Sequence, residues 1–258
     1  MKLNDLIESL AFSEVGTSKL FETTPKDPNA LYEITARNRA ILINHINNAT
    51  MAICVKLPIF HHVIVIRLVE GKATYLLDSA HSVRHIPDGT PFPIEPPALG
   101  DDLAEFYIYD TEDEPFEDNI ITLGSVMSDS GLYNMTIGDS SKKNAVYTPR
   151  PNTIEVPEDM IDNDEFISLG YSAHIPRIPP TTLAEDDYSI NLPQSLNEAV
   201  AAFIAHKLQL QPQDAENTSV GISHMDRFNE ICTTYLNKNV HNLSGDVSTK
   251  GFVKRGWK

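Results

Sequence analysis

Little in this chain of 258 residues supplies cross-linking or strongly reactive chemistry. It has two cysteines, Cys54 and Cys232. Both fall in apolar helical patterns and read as buried free thiols, not a disulfide framework, which fits assembly in a reducing cytoplasm. Basic side chains are few: 20 Lys and Arg face 36 Asp and Glu, a formal charge of −16. That balance excludes a general nucleic-acid binder, which presents a basic face. It is compatible with a protein that surrounds DNA without gripping it, since an acidic wall repels phosphates. No run reaches the roughly 18 apolar residues of a membrane span. MKLNDLIESL carries charges and no apolar core, so no signal peptide is expected.

Motifs of catalysis are equally scarce. The chain has no GxSxG, no GxGxxG and no GxxxxGK[ST]. His61 and His62 are adjacent on an expected strand and so point to opposite faces. His81 and His85 are four apart, but in a proline-flanked segment without the helix and intervening glutamate of a zinc site. The acidic run DDLAEFYIYDTEDEPFEDN lacks the central glycine of a calcium loop and reads as a solvated loop between strands. A pair of its carboxylates serving glycoside hydrolysis is the alternative chemistry. The expectation is a non-enzyme with no catalytic residue, no metal site and no cofactor.

What is present is an ordered succession of elements. Leu3, Leu6, Ile7 and Leu10 predict a short amphipathic helix. Asp27 and Pro28 predict the start of a long helix running to about Lys56, with Ile34, Ile41, Leu42, Ala49, Ala52 and Ile53 on its apolar stripe. Pro58 ends it. HHVIVIRLV and KATYLL predict two strands of a hairpin turning at Glu70-Gly71. IPDGTPFPIEPPALGDD holds too many prolines for helix or ladder strand. Further strands are expected at FYIYD, NIITLGSVM, AVYT, TIEVP and EFISLGYSA, with turns at Ser128–Gly131 and Gly138–Ser141. In the last strand Ile167, Leu169, Tyr171 and Ala173 form the apolar face. After Pro193, Ser195 and Glu198 predict a capping box. Leu196, Ala199, Val200, Phe203, Ile204 and Leu208 then form a stripe. A polar loop, QPQDAENTS, leads to a last helix carrying Met225, Phe228, Cys232, Tyr235 and Leu236.

The predicted class is α+β: a helical bundle formed by N- and C-terminal helices, with an inserted β-rich (sandwich or barrel-like) domain and an extended C-terminal arm. The divisions are 1–58 for the first helices, 59–190 for the β-domain, 191–243 for the last helices and 244–258 for the arm. In the arm, Lys250, Lys254, Arg255 and Lys258 interleave with Phe252 and Trp257, the one tryptophan. Aromatic and arginine anchors carry interface energy when they enter a pocket. Docking into a partner is therefore expected, against the alternative that the arm folds back on its own domain.

The order of several stretches resembles the tail-adaptor (head-to-tail connector) proteins of podophages and related tailed bacteriophages. They are RAILINHINNAT, YIYDTEDEPFEDNIITLGSVMSDSG, VYTPRPNTIEVP, LGYSAHIPRI, LPQSLNEAVAAFIAHKL and FVKRGW, together about a third of the chain. The proline-rich segment Pro87–Pro97 has no counterpart in that pattern. The resemblance implies a homo-oligomeric ring, usually a dodecamer, beneath the portal protein in the virion neck, assembled in the host cytoplasm. It implies that Phe252, Val253, Lys254, Arg255 and Trp257 dock to the portal. It implies that the β-domain meets tail tube, nozzle or fibre proteins, that genomic DNA passes through without sequence-specific binding, and that no membrane is involved. The alternative reading from the residues is a carbohydrate-binding or glycan-hydrolysing tail component.

Overall fold

The structure, a computed structural model, describes residues 1–21, 32–83, 106–110, 116–128, 134–137, 145–150, 152–161, 165–183, 186, 188–209 and 215–246. It is α+β, and the chain divides into two compact units. One comprises Met1–Leu57 and Ile175–Lys258 and is helical; the other comprises Pro58–His174 and holds the sheet.

The helical unit starts as its leucine spacing predicts. Helix α1 (Leu3–Ala11) buries Leu3, Leu6, Ile7 and Leu10. The backbone ahead of it pairs with residues 188–190: Leu3 N–H donates to Tyr188 O at 2.8 Å and Ile190 N–H to Met1 O at 2.7 Å. A 3-10 turn, Glu14–Thr17, follows, its first turn capped by the Ser13 hydroxyl, which accepts from Val15 N–H. A Cβ on Gly16 would overlap the Ala11 carbonyl, so the tight turn after α1 requires glycine there.

Helix α2 (Ala36–Lys56) starts well downstream of the expected Asp27-Pro28. Thr35 is the cap, its Oγ1 accepting from Asn38 N–H at 3.2 Å. Asp27 and Pro28 lie outside the described residues, and Ile34 precedes the helix. The buried stripe is also rotated from the one expected. Leu42, Ile43, Ile46, Ala49 and Ile53 are buried, while Ile41 is exposed and Ala52 half-buried. Arg39 rides on the stripe because acceptors await it: Nε donates to Thr182 O (3.1 Å), and Nη2 to Asn4 Oδ1 (2.8 Å) and Leu183 O (3.2 Å). Two turns further, Asn47 holds both polar groups of Ile178, accepting from its N–H and donating to its C=O at 2.9 Å each. Residues 175–183, read from the sequence with the β-rich middle, thus pack on α2 in the helical unit.

Helix α4 (Asn197–Gln209) is not merely striped: Ala199 through Ala205 are all buried, so it is a central helix. The expected Ser195/Glu198 capping box does not form. Ser195 sits inside a 3-10 turn, Gln194–Leu196, that Pro193 O closes by accepting from Leu196 N–H, and Glu198 is drawn instead to Arg227. Helix α5 (Ala215–Asp246) starts inside the stretch read as a polar loop and extends past residue 243. It is antiparallel to α4, as the pairs His206 Nδ1–Gly221 O (2.8 Å) and Phe203–Phe228 (ring centroids 5.3 Å) fix. Cys54 and Cys232 are buried free thiols, as expected, and burial raises the pKa of both.

In the second unit, strands β1 (His61–Arg67), β2 (Thr74–Leu76), β3 (Ile108–Tyr109), β4 (Ile120–Ser128), β5 (Asn134–Ile137), β6 (Ala145–Arg150), β7 (Thr153–Glu155) and β8 (Phe166–Ala173) join one sheet, in the order β2-β7-β6-β5-β4-β8-β1-β3. A short helix α3 (Glu158–Ile161) lies between β7 and β8. The pairs are antiparallel except β5 with β6. Strand β5 went unread in the sequence. In β8 the residues Ile167, Leu169, Tyr171 and Ala173 are buried, as their alternation predicts. They pack with Ile64, Ile66, Tyr75, Tyr107, Val126, Val146 and Ile154 in the core.

The expected β1–β2 hairpin is absent. Its turn exists, with Gly71 at φ +76° and Lys72 N–H donating to Val69 O. The Val69 N–H that would extend the ladder donates instead to Tyr75 Oη at 2.8 Å, and β2 goes to the far edge of the sheet to pair with β7. The turns at Asp129–Gly131 and Gly138–Ser141 and the segment Pro87–Pro97 lie outside the described residues.

Candidate functional surfaces

The first candidate surface lies on the helical unit, where α4 begins alongside α5. Arg227, on α5, gathers two carboxylates from distant parts of the chain. Its Nη2 and Nε reach Glu198 Oε1 at 2.6 and 3.2 Å, and its Nη1 pairs with Glu14 in the 3-10 turn after α1. The hydrogen bonds that the guanidinium donates to Glu198 hold it above its ordinary pKa, with Glu14 adding to the effect. Two open hollows share this cluster. One, of about 550 Å³, is lined by residues including Glu230, Ile231, Thr234, Tyr235 and Lys238 of α5. The other, of about 660 Å³, includes Phe12, Ser13 and Asn197. Phe12 is 65% exposed, an unusual setting for an aromatic ring beside a charged cluster. Both carboxylates are engaged by the same guanidinium, and the hollows around it are lined by charged, polar and apolar side chains together. The sequence gives no sign of this cluster, since Glu14 and Arg227 are 213 residues apart.

The second is the acidic run of the sheet unit. Asp110, expected in a solvated loop, is buried, and its Oδ2 accepts from Phe116 N–H at 2.6 Å. Asp118 adopts φ 54°, a left-handed conformation that Asp tolerates, and its carboxylate accepts from Ser79 N–H and Oγ–H at 2.5 Å each. Asp78 Oδ1 accepts from Ala80 N–H at 2.9 Å. These carboxylates satisfy backbone donors and shape loops. The remainder of the run, residues 101–105 and 111–115, lies outside the described residues.

Between the two ends of the sheet sits a tyrosine. The Tyr107 hydroxyl accepts from Leu76 N–H (3.0 Å) and donates to Leu76 O (2.8 Å), occupying both outward backbone groups of that residue in edge strand β2. Tyr107 directly precedes β3, the other edge, so the sheet curls until its first and last strands are joined by one side chain. His81 stacks on the Tyr107 ring at 4.8 Å, and Lys72 Nζ lies 3.9 Å from its centroid. Burial, more than any neighbouring group, pushes the Tyr107 pKa up to about 12.

The remaining sequence candidates separate. His61 is exposed, while His62 stacks on Tyr171 at 5.7 Å, consistent with opposite faces. His81 belongs to the tyrosine cluster, and His85 lies outside the described residues. Among the described residues no group of three or more His, Cys, Asp or Glu is arranged to hold a metal ion, and no helix is long and apolar enough to cross a membrane. Phe252, Val253, Lys254, Arg255 and Trp257 lie outside the described residues. A scan against protein-family models and a search of curated proteins both give no match.

Proposed function

We propose that this chain is a structural, non-enzymatic subunit: the head-to-tail adaptor of a tailed bacteriophage, forming a ring beneath the portal in the virion neck. The observation that carries the reading is helix α5. It runs 32 residues, about 48 Å at the usual rise, and ends at Asp246, directly before the aromatic-basic segment 247–258. A long helix that delivers such a segment suits a docking arm.

In this reading the helices from the two chain ends form a bundle around the channel. The sheet unit is an inserted barrel-like domain for tail tube, nozzle or fibre proteins. Charge supports the division. Residues 58–174 carry 21 acidic and 6 basic side chains, whereas residues 247–258 carry four basic and no acidic ones. An acidic inserted domain repels the passing genome, and a cationic arm seeks a different surface. Repetition around a ring turns a modest contact per arm into a stable joint.

The test is co-sedimentation of the purified chain with portal rings from the same particle. The expected result is binding by the full chain and its loss on removing residues 247–258 or on the double change Phe252→Ala, Trp257→Ala. A full chain that ignores the portal rings, or an arm-deleted chain that binds equally well, overturns the reading. Imaging of the particle neck gives the same decision: density for the chain anywhere else sinks it.

A further inference from the structure

We infer that the trough where α1, α4 and α5 meet is the resting seat of this chain's own segment 247–258, which lies back along α5 until a partner takes it. The trough belongs to the helical unit alone and needs no portal; that the partner is the portal rests on the proposed function.

A third hollow, of about 290 Å³, adjoins the two at the Arg227 cluster. It shares Ser9, Gln194 and Asn197 with the second, as the second shares Ser195, Glu198 and Arg227 with the first. The three therefore run together into one trough from α1 to Lys238 of α5. Asp5, Glu14, Glu198 and Glu230 line it against two cationic side chains, Arg227 and Lys238. One guanidinium serves both Glu14 and Glu198, so negative charge is left over. Asn197 Oδ1, where two hollows meet, is buried with no donor among the described residues. Phe12 offers an exposed ring at the rim.

Segment 247–258 carries the complement. Lys250, Lys254, Arg255 and Lys258 stand in it without an acidic residue, and Phe252 and Trp257 supply rings. Lysine, arginine and the indole N–H only donate hydrogen bonds, which suits a trough of carboxylates and amide oxygens. The reach also fits. Helix α5 ends at Asp246, about 12 Å beyond Lys238 and about 28 Å beyond Arg227. Laid back in extended form, the chain from Asp246 brings Phe252 about 20 Å and Trp257 about 36 Å along α5. Phe252 then falls at the first hollow, and Trp257 at the Arg227 cluster and Phe12. A seated arm keeps its aromatic anchors out of water and lowers its apparent affinity for any other site by the fraction released. Exposed ion pairs are weak, so a stronger site can take the arm from the trough.

Trp257 is the one tryptophan, so fluorescence of the full chain, with no partner added, reads the arm alone. The expected emission is blue-shifted and less quenched by acrylamide than that of a peptide of residues 247–258, and unchanged on dilution. Glu198→Lys with Glu230→Lys, both at exposed positions, is expected to move the emission to that of the peptide, with helical circular dichroism unchanged. Glu117→Lys with Glu155→Lys makes the same change of charge at exposed positions of the sheet unit and is expected to leave Trp257 as in wild type. A nitroxide on Thr234→Cys, exposed at the first hollow, is expected to quench Trp257 with every trough charge intact; Cys54 and Cys232 are buried, so the label goes to the new thiol. Peptide-like emission from the wild type, a shift lost on dilution, equal effects of the two double changes, or no quenching from position 234 overturns the inference. Portal binding enters none of these readings, so either proposal can fail without the other.

Discussion

The two units solve the same problem, holding irregular chain in place, by different means. In the helical unit, long side chains on a helix reach out and tie down loops: Arg39 and Asn47, both on α2, fasten residues 178–183. In the sheet unit, single acceptors bend the chain locally or seal it: Asp118 holds Ser79, Asp110 holds Phe116, and Tyr107 closes the sheet through Leu76. The difference teaches where each unit is vulnerable. The helical unit depends on few residues with several partners each, the sheet unit on more residues that each hold a single partner residue.

The largest effect should come from the helical unit. Arg39→Ala removes three hydrogen bonds at a buried position and strands the Thr182 and Leu183 carbonyls. At about 1–3 kcal/mol per unsatisfied group, a loss near 3 kcal/mol is expected. Arg39→Lys should recover little, because an ammonium cannot reproduce the fork. Chemical denaturation gives the magnitude. Hydrogen exchange gives the place, with faster exchange in α1, α2 and residues 182–183. Equal destabilisation of the sheet amides would break the comparison between the units.

Tyr107→Phe comes next. It leaves both outward groups of Leu76 without their partner, for an expected cost of about 2 kcal/mol. The same residue predicts a base limit. Its folded pKa, near 12, lies above the ordinary 10, so the protonated phenol is favoured by folding. That contribution is whole below pH 10 and is lost as pH rises from 10 toward 12. Tyrosinate absorbance should show one phenol fewer titrating late in Tyr107→Phe. Stability of the variant should decline less steeply above pH 10 than that of wild type. Identical profiles would remove Tyr107 as the closing residue.

These examples also mark what the sequence carried. Periodicity gave α1 and the inward face of β8, because one buried face leaves a direct trace in residue spacing, and Pro58 marked the end of α2. It failed where a side chain captured a backbone group. Tyr75 took the Val69 N–H and dissolved the hairpin; Thr35 set the start of α2; Arg227 took Glu198 from its capping box. Hydrophobic spacing holds no record of which side chain takes a backbone group, whether the partner is three or six residues away, as with Thr35 and Tyr75, or 29, as with Arg227 and Glu198. The Arg227 cluster was illegible for the same reason, while the aromatic-basic residues 250–258 were legible as composition alone.

Asp118 tests the local mode of the sheet unit at smaller scale. Asp118→Ala loses two hydrogen bonds to Ser79 and places a Cβ residue with no polar side chain at φ 54°; about 1–2 kcal/mol is expected. Asp118→Asn keeps the tolerated backbone and one acceptor, so about half that loss is expected. Asp118→Gly should fall between them, since it removes the strain but not the missing bonds. If glycine matches the wild type, conformation alone holds the loop and the carboxylate contributes nothing.

The smallest effect is expected where the drawing looks strongest. Arg227 engages two carboxylates, yet its side chain is 43% exposed and Glu198 is 59% exposed. Exposed pairs contribute roughly 0–1 kcal/mol, because solvent screens them and ordering long side chains costs entropy. Arg227→Met should therefore shift the denaturation midpoint slightly, and less still in concentrated salt, which already weakens the wild-type pairs. The methionine keeps most of the apolar stem while releasing Glu14 and Glu198 to solvent. Contrast with Arg39 is the point: same residue type, comparable numbers of partners, opposite burial. A loss for Arg227→Met as large as that for Arg39→Ala would mean that the 3-10 turn at Glu14 depends on this clamp, and that partner number rather than burial ranks the contacts of the helical unit.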